Sequence, residues 1–143
     1  MQLTLTGEYA IRAMIYIAGK PFGTSFTIAE IASSNKIPDK FLRKILPQLS
    51  SAGLLQSQRG KGGGIRLKIN AADITPLNVI QAIDGDMALN KCLIDNDFCT
   101  DSRWCSMHVL WAETQKNMKK VLSSKSLAEL AQESEHKRIH WMR

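Results

Sequence analysis

The segment Arg59-Gly-Lys-Gly-Gly-Gly64 constrains this chain more than any other. Four glycines within six residues cannot sustain a helix or supply a side-chain core, so they must form a turn. On one side stands Leu54-Leu-Gln-Ser-Gln58. On the other is Ile65-Arg-Leu-Lys-Ile69, in which apolar and basic residues alternate strictly. The alternation predicts a half-buried strand with Arg66 and Lys68 outward, and the pair of runs predicts a hairpin with Arg59 and Lys61 at its tip. No GxxxxGK[ST] is present, and a strand rather than a helix follows, so the glycines are not a nucleotide-binding loop. Backbone without Cβ atoms can approach another molecule closely.

The stretch before the hairpin supplies its partner. Thr27-Ile-Ala-Glu30 is a capping box, in which the threonine hydroxyl serves the third backbone N–H and the glutamate reaches back. It opens a short helix with Ile28, Ile31 and Ala32 inward, failing at Ser33-Ser34-Asn35. Pro38 suits the first turn of the next helix, which runs to about Ala52 with Gly53 as its left-handed stop. There Leu42, Ile45, Leu46 and Leu49 follow the i, i+3, i+4, i+7 pattern of a core face. Lys40, Arg43, Lys44 and Pro47 share that spacing on another face, with Pro47 deleting one helical hydrogen bond. Two short helices joined by a tight turn, the second carrying a basic stripe, make a helix-turn-helix, and the hairpin adds a wing. Lys40, Arg43 and Lys44 are candidates for base edges, and Arg59, Lys61 and Arg66 for phosphates. The expected fold class is mainly α with a small β-hairpin: a winged helix-turn-helix plus a long dimerisation helix.

Charge points the same way. The chain has 143 residues and a net charge of +6. Residues 1–68 hold ten Lys/Arg against three Asp/Glu, or +7, while residues 69–143 hold nine against ten, or −1. The basic half is the footprint of a nucleic-acid binder, and the balanced half suggests oligomerisation or sensing. No apolar run approaches a membrane span and no basic-then-apolar leader opens the chain, so a cytoplasmic protein with no membrane partner is expected. The nearly continuous apolar stretch from Leu5 to Ala18, stopped by Gly19, predicts a buried helix.

Beyond the wing, Asp73 and Thr75-Pro76 open a short helix carrying Leu77, Ile80 and Ile83. An irregular acidic stretch follows from Asp84 to Arg103, and then a long helix from about Trp104 to Leu122. Met107, Trp111, Thr114, Met118 and Val121 recur at spacings of four and three, a coiled-coil seam suited to the dimer that a two-headed DNA site needs. Ser126-Leu-Ala-Glu129 is a second capping box, and the polar tail beyond Glu133 is expected to fray. This organisation divides the chain into a DNA-binding domain (1–83), a cysteine-bearing loop (84–103) and a dimerisation helix with its tail (104–143).

All three cysteines, Cys92, Cys99 and Cys105, fall within fourteen residues, with His108 one turn beyond the last. Their neighbours Asp84, Asp86, Asp95, Asp97 and Asp101 make this a loop and a poor setting for a nucleophilic thiol. Cys105 and His108 lack a third group or oxyanion donor, so no enzyme is expected. Metal ligation suits the cluster better. The C-x6-C-x5-C-x2-H spacing is loose for zinc, which favours close CxxC or HxxxH pairs. Three thiolates plus a fourth ligand of another type rank an iron–sulfur cluster first, zinc second and inert cysteines third.

Met1-Gln-Leu-Thr with Tyr9-Ala-Ile-Arg, Phe41-Leu-Arg-Lys-Ile-Leu, Ala52-Gly-Leu, the wing segment through Leu67 and the triple cysteine together resemble one family. It is the bacterial winged-helix iron–sulfur transcriptional regulators, which include IscR, NsrR and RirA. The likeness runs from residue 1 to about Leu130. It implies homodimers on pseudo-palindromic promoter DNA, with a [2Fe–2S] or [4Fe–4S] cluster in each subunit. Cys92, Cys99 and Cys105 would hold the cluster. The fourth ligand would be His108, as in IscR-like members, or Glu8 of the partner subunit, as in NsrR-like ones. The gap between Cys92 and Cys99 is one residue longer than in IscR-like members. The function implied is a promoter-binding repressor controlled by nitric oxide, redox or iron status. The alternative is a zinc or thiol-redox protein that binds DNA independently of any cluster.

Overall fold

The structure, a computed structural model, describes residues 3–95 and 98–141; Met1, Gln2 and Asp97 of the motifs above lie outside the described residues. Helix α1 (Leu5–Ala18) has the bounds expected, with Ala10, Ala13, Met14 and Ile17 buried on one face. Thr4 caps it, accepting from the Gly7 amide at 3.0 Å. At Gly7 it passes so close to α4 (Pro76–Asp84) that a Cβ there would stand 2.6 Å from the Asp84 carboxylate. The Thr4 hydroxyl donates to the same carboxylate at 2.6 Å, pinning the start of α1 to the end of α4.

Helix α2 (Ile28–Asn35) starts with the expected capping box: the Thr27 amide donates to Glu30 at 2.6 Å and the Glu30 amide to the Thr27 hydroxyl at 3.2 Å. The Thr27 amide first, and its hydroxyl second, hold the Glu30 carboxyl below its ordinary pKa. Helix α3 (Asp39–Ser51) starts one residue later than expected, with Pro38 as its N-cap. Proline's fixed φ suits either position, but an extended ψ of 135° places this one just outside the helix. Leu42, Ile45, Leu46 and Leu49 are all buried, and Gly53 stands at a φ of 78°.

Strands β1 (Leu55–Gln58) and β2 (Gly64–Leu67) pair antiparallel, Leu55 opposite Leu67 and Gln58 opposite Gly64. Two glycines are required by close approach. A Cβ at Gly63 would lie 2.1 Å from the Gln58 carbonyl oxygen, and one at Gly64 would lie 2.7 Å from that of Phe26. Phe26 in turn exchanges two backbone hydrogen bonds with Ile65, both at 2.8 Å, so the wing is stitched to the chain entering α2. The second strand stops at Leu67, and Ile69 is exposed instead of continuing the inward alternation.

Helix α4 is capped by Thr75 and Asn78 and buries Val79 and Ile80. Helix α6 (Leu127–Trp141) opens on the Ser126–Glu129 capping box and packs against α1. Leu127 is fully buried, its amide donating to Ile74 O at 2.7 Å. The chain stays helical to Trp141, where a fraying tail was expected; Leu127, Ala131 and a Lys125–Glu133 ion pair supply an anchor that polar composition conceals.

Helix α5 (Ser106–Leu122) differs from the others in having no buried residue. Polar links tie it to the preceding loop: Lys119 Nζ meets Asp86 at 2.7 Å, and Gln115 Oε1 accepts from the Leu89 amide at 3.0 Å. The Lys119 hydrogen bond, followed by that from Gln81, holds Asp86 below the ordinary carboxylate range. Among the described residues no helix is long and apolar enough to cross a membrane.

Two stability measurements follow from this packing. Leu127→Ala should cost about 2–5 kcal/mol in urea unfolding, because its cavity opens in the core beside α1. A change below about 1 kcal/mol would mean that α6 is not part of that core. Asp86→Asn should cost less than about 1 kcal/mol at neutral pH, because the Asp86 carboxylate is 75% exposed. A depressed folded pKa contributes its full stabilisation above the unfolded value and loses it as pH falls through the lower folded value. The difference between variant and parent should therefore begin to shrink near pH 3.8 and vanish only below it.

Candidate functional site

Two surfaces carry the candidate side chains. On the first, Lys40, Arg43 and Lys44 are exposed along α3, and Arg59 and Lys61 are exposed at the wing tip. The stripe is oriented from beneath. Phe41 meets Tyr9 of α1 edge-on with ring centroids 5.0 Å apart, and Lys40 lies 5.4 Å over the Phe41 ring. Arg12 of α1 donates to the Asn35 carbonyl at the end of α2, and the Ser34 hydroxyl donates to Tyr16 OH at 3.1 Å. These contacts fix both members of the helix-turn-helix to α1. The wing tip is held by the Ser25 hydroxyl, which donates to the Gly63 carbonyl at 3.1 Å.

Arg66 keeps the outward strand position predicted for it, between the buried Ile65 and Leu67, but its side chain does not extend freely into solvent. It is half-buried, with Nη2 donating to Gln58 Oε1 at 3.1 Å, while its Nε is buried without a partner. A long side chain can lie along its own hairpin, which alternation alone does not reveal.

The second surface is the cysteine loop and the face of α5. Cys92 sits in a 3₁₀ turn (Lys91–Leu93), Cys99 lies in the loop beyond, and Cys105 is the N-cap of α5, making no side-chain capping bond. All three are free thiols and half-buried. His108 stands in the first turn of α5, its amide donating to Cys105 O at 3.1 Å, and its Nδ1 is buried without a hydrogen-bond partner. Glu8 is exposed on α1, within one turn of the Thr4 link to Asp84.

The structure places the cysteines on one connected segment but does not gather them. Among the described residues no group of three or more His, Cys, Asp or Glu side chains is arranged to hold a metal ion. The donor chemistry nevertheless fits an iron–sulfur cluster: three unbonded thiols precede an imidazole whose inner nitrogen lacks the partner that buried polar atoms normally have.

Around this segment Ile94, Phe98 and Trp104 are strongly exposed, and Lys91 lies 5.6 Å over the Phe98 ring. Of the seam residues on α5, Met107, Thr114 and Val121 are exposed and Trp111 and Met118 half-buried. Leu110 widens this exposed apolar face, and Val109 is exposed on the opposite side of the helix. Gln115 and Lys119 were missed as anchors. Their i, i+4 spacing, one turn beyond Trp111, was the available signal.

Comparison with known proteins follows from this geometry. The sequence profile of the Rrf2 family, described as iron-dependent transcriptional regulators, matches residues 3–133. The HTH-type transcriptional regulator IscR of Vibrio atlanticus is 33% identical over 135 residues, which cover 94% of this chain and 78% of that one. Among solved structures, CymR, titled the global cysteine regulator of B. subtilis, superposes with a TM-score of 0.74 at 26% identity, covering 92% of this chain and 97% of its own. IscR of T. potens superposes with a TM-score of 0.76 at 23% identity, covering 96% of this chain and 90% of its own, and shares the fold. The chain accordingly belongs to the Rrf2 family: it is a winged-helix DNA-binding transcriptional regulator, and not an enzyme.

Proposed function

We propose that this regulator is a cytoplasmic homodimeric repressor whose grip on promoter DNA is set by an iron–sulfur cluster. The observation that carries the proposal is the buried, unpartnered Nδ1 of His108 one turn beyond three free, half-buried thiols. Cys92, Cys99 and Cys105 would hold a [2Fe–2S] or [4Fe–4S] cluster, with His108, or Glu8 of the partner subunit, as the fourth ligand. When bound, such a cluster supplies a group that nitric oxide, oxidation or iron shortage can modify or remove.

The chain's own residues do the rest. Arg59, Lys61 and Arg66 hold phosphates, and Lys40, Arg43 and Lys44 meet base edges. Met107, Trp111, Thr114, Met118 and Val121 pair with the same residues of a second copy, covering a helix that has no fully buried residue within its own chain. The cysteine segment is fastened to α1 through Asp84 and to α5 through Asp86 and Leu89. Ordering this segment by ligation therefore sets how the two reading heads stand on the dimer helix.

A second reading has its own support. The similarity to CymR, a regulator of cysteine by its title, favours thiol chemistry or zinc at the same cysteines, with DNA binding independent of a cluster.

Protein purified under nitrogen should be brown, carry iron and sulfide, and lose both in Cys105→Ala. Colourless protein with stoichiometric zinc would sink the cluster reading, and equal DNA affinity with and without the cluster would sink its control of binding. On DNA, Arg59→Ala and Lys61→Ala should weaken all sequences alike, each lowering the salt slope by about 1. Arg43→Ala should instead relax preference at one base position, by about 1–3 kcal/mol of discrimination. A uniform loss would remove Arg43 from base reading.

A further inference from the structure

Between α3, the start of α2 and the wing lies an open cleft of about 650 Å³. Phe26, Leu46, Pro47 and Ile65 make its lining largely apolar, and Arg43 and Arg59 also line it. Phe26, Leu46 and Ile65 belong to the core and expose little. Pro47 is different: it is exposed, it follows Lys40, Arg43 and Lys44 along the basic stripe, and it lies inside α3. A proline there removes a helical hydrogen bond and packs nothing into the core, so the fold gains nothing from it.

The charges around the cleft select a polyanion as its occupant. Arg43 on one side and Arg59 on the other line an apolar strip with no acidic residue in its lining, and Lys40, Lys44 and Lys61 are exposed on the same two elements. A small ligand in so open a cleft would leave much of its own surface in water. A duplex engaged by α3 in the major groove and by the wing beside it would cover the strip. In the major groove the apolar group a base pair presents is the 5-methyl of thymine. We propose that Pro47 is a specificity-determining residue that reads this methyl group with its pyrrolidine ring, adding a preference for thymine to the polar contacts of the stripe. The inference rests on the assignment of α3 as the reading helix.

The test begins by selecting preferred duplexes from a random-sequence pool with the full-length protein, once as isolated under nitrogen and once without metal. Each thymine of the selected site is then replaced by deoxyuridine, which deletes the methyl group alone. One thymine in each half-site should cost about fourfold in affinity when replaced, the effect of burying one methyl. Pro47→Ser should bind the thymine site about fourfold more weakly and become indifferent to that replacement, while Pro47→Val should restore the discrimination.

No loss at any deoxyuridine, with the selected site still bound tightly, overturns the role of Pro47. So does a loss that persists undiminished in Pro47→Ser. Release of both duplexes by octanoate, with neither sensitive to the methyl group, assigns the cleft to a small amphipathic anion instead. A pool from which neither form of the protein enriches any sequence overturns the reading-helix assignment itself, and Pro47 with it.

Discussion

Helix α1 packs against α2, α3, α4 and α6, and this shared burial is the constraint on which the presentation of the basic stripe depends. Tyr9 seats α3 through Phe41, Arg12 and Tyr16 hold the end of α2, and Gly7 leaves room for the Asp84 carboxylate of α4, which a Cβ would displace. The buried face formed by Ala10, Ala13, Met14 and Ile17 belongs to the same core as Leu42, Leu49 and Leu127. A core packed at crystalline density does not yield one contact at a time. The basic stripe of α3 is thus presented as part of a rigid body, and its orientation is set by apolar contacts on the far side of the helix.

The wing obeys a different rule. Its strands are too short to be stable alone, and a two-stranded hairpin is marginal in water. Stability comes from Ile65 and Leu67 entering the core, and from the bridge between Ile65 and Phe26. Since Phe26 immediately precedes the Thr27 cap of α2, its bridge, with the Ser25–Gly63 hydrogen bond beside it, registers the wing against the helix-turn-helix. That registration creates the cleft between them.

Much of this was legible in the sequence, for identifiable reasons. The bounds of α1, the capping boxes at Thr27 and Ser126, and the inward face of Leu42, Ile45, Leu46 and Leu49 are local features that repeat within a turn or two. The Phe26 bridge was hidden because one extended residue has no period. The docking of α6 was hidden because two inward residues, Leu127 and Ala131, are outnumbered by charged neighbours. The outward position of Arg66 was legible, but its contact with Gln58 was not, because alternation describes the direction of Cβ and not where a long side chain comes to rest. For the cysteines, composition revealed the donor types. Their arrangement is another matter: an acidic segment with exposed Ile94, Phe98 and Trp104 has too little apolar burial to draw its own thiols together.

The same imbalance explains why a regulatory device would be built at α5. Every other helix has at least one apolar side chain in the core, and displacing such a helix costs several kcal/mol. Helix α5 has none; among the described residues its polar ties to the preceding loop include an ion pair with an exposed carboxylate and a hydrogen bond from one amide, beside the half-buried Trp111 and Met118. Links of this kind are worth about 1 kcal/mol or less each. Metal–thiolate ligation in small domains is worth on the order of 10 kcal/mol. A ligand bound by the segment leading into α5 would therefore outweigh the polar ties that hold the helix. On the proposed reading, the responsiveness of α5 and the rigidity of the core around α1 follow from one feature of the chain: apolar residues are fully buried in α1 and not in α5.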